Sequence, residues 1–168
     1  MILIVNTTSD RAVTSELASA LSGKCGAFEV LELSEKKISH CIGCNYCWLK
    51  TPGVCSIKDD YEEILKKMLH ADQLWVISDT ALGFLDHKGK NIFDRIIPLA
   101  TMHLKFKGKQ MRHIMRYKKR TDIGLIITGD ADRAYLERWN KRASLNFDSR
   151  SLGVFGKDEL KEAVTCMH

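Results

Sequence analysis

Four of the six cysteines in this 168-residue chain lie within one stretch, the cysteine segment (residues 41–55). Their spacing is C-x2-C-x2-C-x7-C, formed by Cys41, Cys44, Cys47 and Cys55. Two residues between thiols allow a short turn to direct both sulfur atoms toward one centre, and Gly43 and Pro52-Gly53 are turn-forming residues. The segment is therefore a candidate site for an iron–sulfur cluster, a zinc ion or redox-active thiols.

The spacing alone leaves these occupants open. Zinc fits less well, because zinc sites more often use two separated cysteine pairs. A redox pair could form from Cys41 and Cys44 or from Cys44 and Cys47, although the sequence lacks a thioredoxin-like context. Thiols that bind no metal are a further alternative. Cys25 and Cys166 stand apart, and we interpret each as a small buried or terminal residue.

Alternating strands and helices surround the cysteine segment. Apolar runs rich in β-forming residues predict strands at Met1–Val5, Phe28–Leu33, Gln73–Ser78, Ile123–Thr128 and Leu152–Phe155. Apolar residues at helical spacing predict the intervening helices, including one over Ile92–Leu99 that follows a loop through Gly89. This alternation predicts an α/β fold, with helices on both faces of a parallel sheet, in a single domain spanning residues 1–168.

Ligands of such sheets bind at the carboxyl ends of the strands, which directs attention to three loops. In the first loop the candidate cofactor-binding residues carry hydroxyl groups at the start of a helix, and they are Thr7, Thr8, Ser9, Thr14 and Ser15. Hydroxyls and free N–H groups at a helix N-terminus can hold a phosphate, although plain helix capping explains the same residues. Asp10 argues against a phosphate, because its carboxylate would repel one.

The second and third loops complete this edge of the predicted sheet. The second loop mixes polar and apolar residues and suits a flat aromatic ligand, and its candidates are Ser78, Asp79, Thr80, Ala81, Leu82, Gly83 and Phe84. The third loop adds Thr128 and Gly129 directly after a strand. An ordinary strand-to-helix connection remains the alternative for both loops. His40 and His87 are the nearest histidines, and each is a candidate proton donor or an exposed loop residue.

Charge and hydropathy restrict the classes of partner. The run from Lys105 to Arg120 is dense in Lys and Arg and contains no acidic residue, so it is either a solvated connection or a surface that attracts an anionic ligand or acidic partner. Nothing else resembles a nucleic-acid module, so we expect no nucleic-acid partner.

No apolar stretch approaches the length of a membrane span. We expect a cytoplasmic protein, in which clustered cysteines serve metals or redox chemistry.

From Met1 to about Phe155 the chain resembles the flavodoxin-like NAD(P)H-dependent FMN reductases, and among them the iron–sulfur flavoproteins. The most specific similarity lies in residues 41–60, which read CIGCNYCWLKTPGVCSIKDD. Members of the family carry a very similar segment, with glycine and cysteine placed alike and an Asp-Asp pair that opens the next helix. Phe93-Asp94-Arg95 also matches the usual end of the third helical segment in the family.

The resemblance implies a flavodoxin-like three-layer sandwich with a five-stranded parallel sheet of order 2-1-3-4-5. It implies FMN at the carboxyl edge of the sheet, with its phosphate at Thr7–Ser15 and its isoalloxazine ring against Ser78–Phe84. In the iron–sulfur members, cysteines placed like these four hold a [4Fe–4S] cluster that exchanges electrons with the flavin. NAD(P)H or a redox protein as electron donor, and a homo-oligomeric state, are also implied.

Two loops depart from the family pattern. The first usually reads like Gly-Ser-Pro-Arg, whereas this chain has Thr7-Thr8-Ser9-Asp10, with an acid where a base is common. The second lacks the proline and the aromatic residue that lies at the edge of the flavin ring, and has Asp79 and Ala81 instead. The resemblance as a whole predicts an FMN-dependent NAD(P)H oxidoreductase or electron-transfer flavoprotein. The two departures leave one alternative, a non-enzymatic binding or metal-sensing module with a decayed flavin site.

Overall fold

Strands and helices alternate along the chain in a computed structural model, which describes residues 1–23 and 26–168. The strands are β1 (Ile2–Asn6), β2 (Phe28–Glu32), β3 (Gln73–Ser78), β4 (Thr80–Ala81), β5 (Phe84–Leu85), β6 (Ala100–Lys107), β7 (Gln110–Met115), β8 (Asp122–Ile127) and β9 (Ser151–Gly156). The α-helices are α1 (Arg11–Leu21), α2 (Tyr46–Leu49), α3 (Tyr61–Met68), α4 (His87–Arg95), α5 (Arg133–Asn146) and α6 (Leu160–Thr165). Cys25 lies outside the described residues.

The central sheet contains five parallel strands in the order β2-β1-β3-β8-β9. Counted without the strands of the two hairpins, β4–β5 and β6–β7, this is the order 2-1-3-4-5, so the predicted flavodoxin-like sandwich is confirmed. Every residue of β1 and β3 is buried, because both strands lie inside the sheet and helices cover both faces.

Successive residues of β1 point to opposite faces of the sheet and so contribute to two separate cores. Ile2 and Ile4 pack with residues of α1 and α6, whereas Leu3 and Val5 pack with residues of α3, α4 and α5. The helices on these two faces hold the loops between them at the carboxyl edge of the sheet. Within the described ranges, no helix is long and apolar enough to cross a membrane.

The start of α4 differs from the sequence prediction. The helix begins at His87, and the carboxylate of Asp86 caps it by accepting a hydrogen bond from the N–H of Gly89 at 2.8 Å. Gly89 therefore lies inside the helix and not in a loop. Glycine is needed there because a β-carbon at position 89 would overlap the side chain of Ser78. The helix ends at Arg95, and Pro98 lies in the short 3-10 turn that follows it.

The basic run forms a hairpin rather than a plain connection. Strands β6 and β7 pair antiparallel, with Leu104 opposite His113 and Phe106 opposite Met111. Lys105 on the other face forms a salt bridge of 2.8 Å with Asp148, whose pKa is lowered chiefly by this hydrogen bond. One face of the hairpin thus turns cations toward Asp148, which follows α5, and the hairpin leaves apolar side chains such as Phe106 exposed.

Candidate functional site

The three predicted loops meet at the carboxyl edge of the sheet. The N–H and the hydroxyl of Thr7 both donate to the carbonyl of Ile77 at 2.9 Å, which ties the first loop to the end of β3. The N–H of Thr128 donates to the carbonyl of Ser78 at 3.0 Å, which ties the third loop to the same strand. The three loops therefore lie next to one another at the carboxyl end of β3.

The first loop is closed by hydrogen bonds among its own residues. The side-chain oxygen of Asn6 accepts from both the N–H and the hydroxyl of Thr8, at 3.0 and 2.8 Å. The hydroxyl of Thr8 accepts from the N–H of Asp10 at 3.1 Å, and Asp10 caps α1 by accepting from the N–H of Ala12 at 2.9 Å. Ser9 is exposed beside this network.

A second carboxylate, Glu32 at the end of β2, lies under the same loop. It accepts from the buried amide of Asn6 at 2.8 Å and from the hydroxyl of Thr14 at 2.7 Å. Ser15 lies on the exposed side of α1. Arg11 is the cation of this stretch, and its guanidinium pairs with Glu35. The predicted phosphate contacts do not fit a phosphate in this arrangement, because the carboxylate of Asp10 accepts from the N–H of Ala12 and that of Glu32 accepts from the hydroxyl of Thr14.

The second loop is a small hairpin. Strands β4 and β5 pair through Thr80–Leu85 and Ala81–Phe84, and Leu82 and Gly83 form the turn. Both turn residues have positive φ, 52° and 77°, as a two-residue type I′ turn requires. Leucine rarely adopts this conformation, and its side chain is fully exposed above the carboxyl edge. A strained, exposed apolar residue at this position suits contact with a flat apolar ligand.

The rest of the second loop turns inward. Ser78 is buried and donates to the carbonyl of Asp79 at 2.7 Å. Phe84 packs edge-on against Trp139 of α5, with ring centroids 5.1 Å apart, so its ring belongs to the core. Gly129 lies against Thr80, and a β-carbon at position 129 would overlap that hydroxyl. Glycine is therefore what allows the second and third loops to approach each other.

The cysteine segment packs against α4 and the turn after it, where the N–H of Cys41 donates to the side chain of Asn91 at 3.3 Å and the indole of Trp48 donates to the carbonyl of Ile97 at 3.0 Å. All four of its cysteines are free thiols, and they line a cavity of about 30 Å³ together with Ile42, Ile57 and Ile97. Among residues 1–23 and 26–168, no three His, Cys, Asp or Glu side chains are grouped to hold a metal ion. The thiols fit a metal or cluster by their chemistry and shared cavity, but binding requires the segment to draw the sulfur atoms together.

The thiols of the cysteine segment differ in acidity. A hydrogen bond with the hydroxyl of Ser56 lowers the pKa of Cys44. Burial raises the pKa of Cys47, and the nearby thiol of Cys55 raises it further. A thiolate at one member of the set therefore disfavours a thiolate at the next, and a bound cation would remove this conflict.

Arg95 anchors the cysteine segment from beneath. Its guanidinium donates to the carboxylate of Asp59 at 2.6 Å and to the carbonyl of Ser39 at 3.0 Å, and its second nitrogen lies 3.4 Å from the sulfur of Cys55. The side chains of Arg95 and Asp59 are 1% and 8% exposed, so this ion pair is buried. The guanidinium also lies 4.5 Å above the ring of Tyr61.

Hydrogen bonds keep both members of this buried pair ionised. Burial opposes the ionisation of Asp59, but hydrogen bonds from Arg95 and from the N–H groups of Ser39 and Tyr61 outweigh it and lower its pKa. Burial likewise disfavours the cationic form of Arg95, and the hydrogen bonds with Asp59 and Cys55 reverse this and raise its pKa. A positive charge therefore remains beneath the cysteines.

The two candidate histidines lie close together, with His40 directly before the cysteine segment and His87 at the start of α4. The rings of His40 and His87 have centroids 5.7 Å apart. They line a cavity of about 230 Å³ that Lys36, Lys88 and Thr7 also border. Lys36 pairs with Glu63 at 2.6 Å, so part of the positive charge at this cavity is neutralised.

Comparisons with known proteins agree with this geometry. No family model matches the chain. An iron–sulfur flavoprotein from Methanocaldococcus jannaschii is 42% identical over 71 residues, which cover 42% of this chain and 36% of that protein. The predicted resemblance to iron–sulfur flavoproteins is confirmed. The chain spans about a third of the length of the curated relatives that it matches.

Solved structures confirm the fold. An NAD(P)H:quinone oxidoreductase from Methanothermobacter marburgensis has a TM-score of 0.62 at 13% identity, with 98% of this chain and 94% of that chain covered. General stress protein 14 from Treponema denticola, in complex with FMN, has a TM-score of 0.53 at 16% identity and coverages of 98% and 93%. At such identities the likeness concerns the fold.

Sequence reasoning missed two residues that shape the site. Glu32 was not a candidate, although its position at the carboxyl end of a predicted strand was a usable signal. Arg95 was noted only as part of a family match, and its function as an anchor depends on contacts with Ser39 and Asp59 that are distant in the chain.

Proposed function

We propose that the chain is a flavin-dependent oxidoreductase or electron-transfer domain that binds FMN at the carboxyl edge. The observation that carries this proposal is the meeting of three loops at that edge of a flavodoxin-like sheet. The cysteine segment connects to this edge through Asn91, which accepts from the N–H of Cys41 and borders the same cavity as Thr7. The ring would lie against residues 78–84, including the exposed Leu82, and the phosphate end would face residues 7–15. Bound flavin supplies hydride and single-electron chemistry, while the chain orients it and limits access of water.

The second part of the proposal is a [4Fe–4S] cluster held by the four thiols of the cysteine segment. Their shared cavity, their apolar neighbours and the buried guanidinium of Arg95 support it. A cluster bound by four thiolates is an anionic group, which a buried cation stabilises. The cluster would pass single electrons to or from the flavin.

Electron donor, assembly and location are further elements of the proposal. NAD(P)H or a reduced protein would supply electrons to a cytoplasmic homo-oligomer. The exposed apolar side chains of Met102, Leu104 and Phe106 on the hairpin of β6 and β7 support association between copies. Light scattering would measure the mass in solution, and a monomer at micromolar concentration would contradict this element.

The test is purification without oxygen, followed by addition of FMN and by iron and sulfide assays. We expect flavin absorbance to co-elute with the protein and iron and sulfide to be present in equal amounts. A colourless protein after FMN addition would contradict the proposed flavin binding. Absence of iron and sulfide from anaerobically purified protein would contradict the proposed cluster.

A second candidate function is a non-enzymatic binding or metal-sensing module. The observation that favours it is the closed first loop, in which Asp10 and Glu32 accept from the donors of the loop. This candidate predicts metal binding at the cysteine segment with no flavin binding and no NAD(P)H oxidation. Retention of flavin by the purified chain would reject it.

A further inference from the structure

Three backbone donors of the first loop and the hydroxyl of Thr14 already have acceptors within the protein. The N–H groups of Thr8, Asp10 and Ala12 all donate within the loop, to side-chain oxygens of Asn6, Thr8 and Asp10. Asn6 is completely buried, and Thr14, which donates to Glu32, is 5% exposed. Asn6 and Thr14 hold the base of the network in the core, while the hydrogen bonds of Asp10 at the start of α1 are exposed to solvent. A ligand would have to displace internal acceptors to use the N–H groups of Thr8, Asp10 and Ala12.

The charges around this loop are unfavourable to an anion. Asp10 and Glu32 bring two carboxylates to the start of α1, one at the cap and one beneath it. Arg11 is the only cation between residues 6 and 15, and it is paired with Glu35. A phosphate placed at the start of α1 would carry its charge toward two carboxylates, and Lys88 borders the cavity at Thr7 on the other side of the loop.

We infer that Asp10 and Glu32 are specificity-determining residues that cancel the binding contribution of the flavin phosphate. Riboflavin therefore binds this chain at least as tightly as FMN. The inference rests on the flavin site proposed above and states which end of the flavin contributes to affinity. Binding energy then comes from the ring and its neutral ribityl chain, while the 5′ end of the ligand is tolerated rather than recognised.

The test compares riboflavin with FMN on the full chain, by quenching of flavin fluorescence in matched titrations. At low salt we expect the dissociation constant for FMN to equal or exceed that for riboflavin. Added sodium chloride should bring the two values together, because salt screens the repulsion of the phosphate and leaves the uncharged ligand unaffected. This part of the test requires no substitution.

Two isosteric variants assign the effect to the named residues. Asp10→Asn keeps an oxygen that caps α1. Glu32→Gln keeps an oxygen that accepts from Asn6, while its amide donates to the hydroxyl of Thr14, which can donate in turn to the carbonyl of Arg11. The double variant should bind FMN about tenfold more tightly, with riboflavin affinity changed by less than about twofold. Glu16→Gln removes an exposed charge from the same helix and is the matched control, expected to change neither affinity. Thermal unfolding verifies that each variant folds, and either single variant replaces the double one if it does not.

The outcomes are distinct. If wild-type protein binds FMN tenfold or more tightly than riboflavin, the inference is wrong while the flavin function stands. Quenching of neither flavin would overturn the proposed flavin site together with the inference. If riboflavin is favoured but the variants leave FMN affinity unchanged, the assignment to Asp10 and Glu32 is wrong.

Discussion

The cysteine segment and the first carboxyl-edge loop differ in the charge that lies beneath them. Under the cysteines, the buried guanidinium of Arg95 approaches the sulfur of Cys55 to 3.4 Å. Under the first loop, the carboxylates of Asp10 and Glu32 accept the hydrogen bonds that a phosphate would need. The cysteine segment packs against α4 and the turn that follows it, whereas the first loop lies at the carboxyl edge of the sheet. A few side chains decide which of the two regions favours negative charge.

The largest effect is expected from loss of one thiol. Cys47→Ser should abolish a [4Fe–4S] cluster, because serine replaces one of four thiolate ligands. Iron and sulfide assays on anaerobically reconstituted protein measure the loss. Cys166→Ser is the matched control, since this free thiol lies outside the segment, and it should retain full iron content. Equal iron content in both variants would show that the cysteine segment is not the ligand set.

Removal of the buried cation should be the next largest effect. Arg95→Gln leaves Asp59 as an uncompensated buried charge and should lower the free energy of unfolding by about 3–5 kcal/mol. Arg138→Gln, at an exposed position on α5, should change it by less than about 0.5 kcal/mol. Urea unfolding measures both values. A loss below about 1 kcal/mol for the Arg95 variant would mean that the pair does not anchor the segment.

The ion pair of Arg95 and Asp59 also makes the free energy of unfolding depend on pH. The pKa of Asp59 is lowered in the folded chain, so its carboxylate adds stability above its ordinary value near 4, and this contribution is lost as the pH falls through the folded value. The difference in unfolding free energy between wild type and Asp59→Asn should therefore be largest at neutral pH and shrink in acid. A difference that is constant from neutral pH to about pH 3 would contradict this account.

The smallest effect concerns the turn of the second loop. Leu82→Asn should stabilise the fold by roughly 1 kcal/mol, because asparagine tolerates positive φ better than leucine. If the exposed leucine contacts the flavin ring, the same change should weaken flavin binding. Urea unfolding and flavin titration on one preparation measure both effects. A variant that gains stability without losing affinity would remove Leu82 from the proposed site.

Much of the fold could be predicted from the sequence, because runs such as Ile2–Val5 are apolar on both faces and can only be buried strands. The hairpin of β6 and β7 was missed although Leu104 and Phe106 alternate with Lys105 and Lys107 at period two. The high charge of that run suggested a solvated connection instead.

The candidate site could be predicted less completely. The four cysteines are close in the chain, so their spacing alone made them candidates for a metal or redox site. The anchor of the segment was not predictable in this way, because Arg95 meets Asp59 and Ser39 only after α3 and α4 have packed on the sheet. Asp10 was recognised as unfavourable to a phosphate, but its partner carboxylate Glu32 comes from a neighbouring strand.

The central claim is that one chain holds a flavin and an iron–sulfur cluster that exchange electrons. The most direct test is the visible spectrum of anaerobically reconstituted protein, recorded before and after a limiting amount of reductant. The account predicts that flavin bands and broad cluster absorbance are both present and that both decrease together. A spectrum that shows neither chromophore, or a flavin that is reduced while the cluster absorbance stays constant, would contradict it.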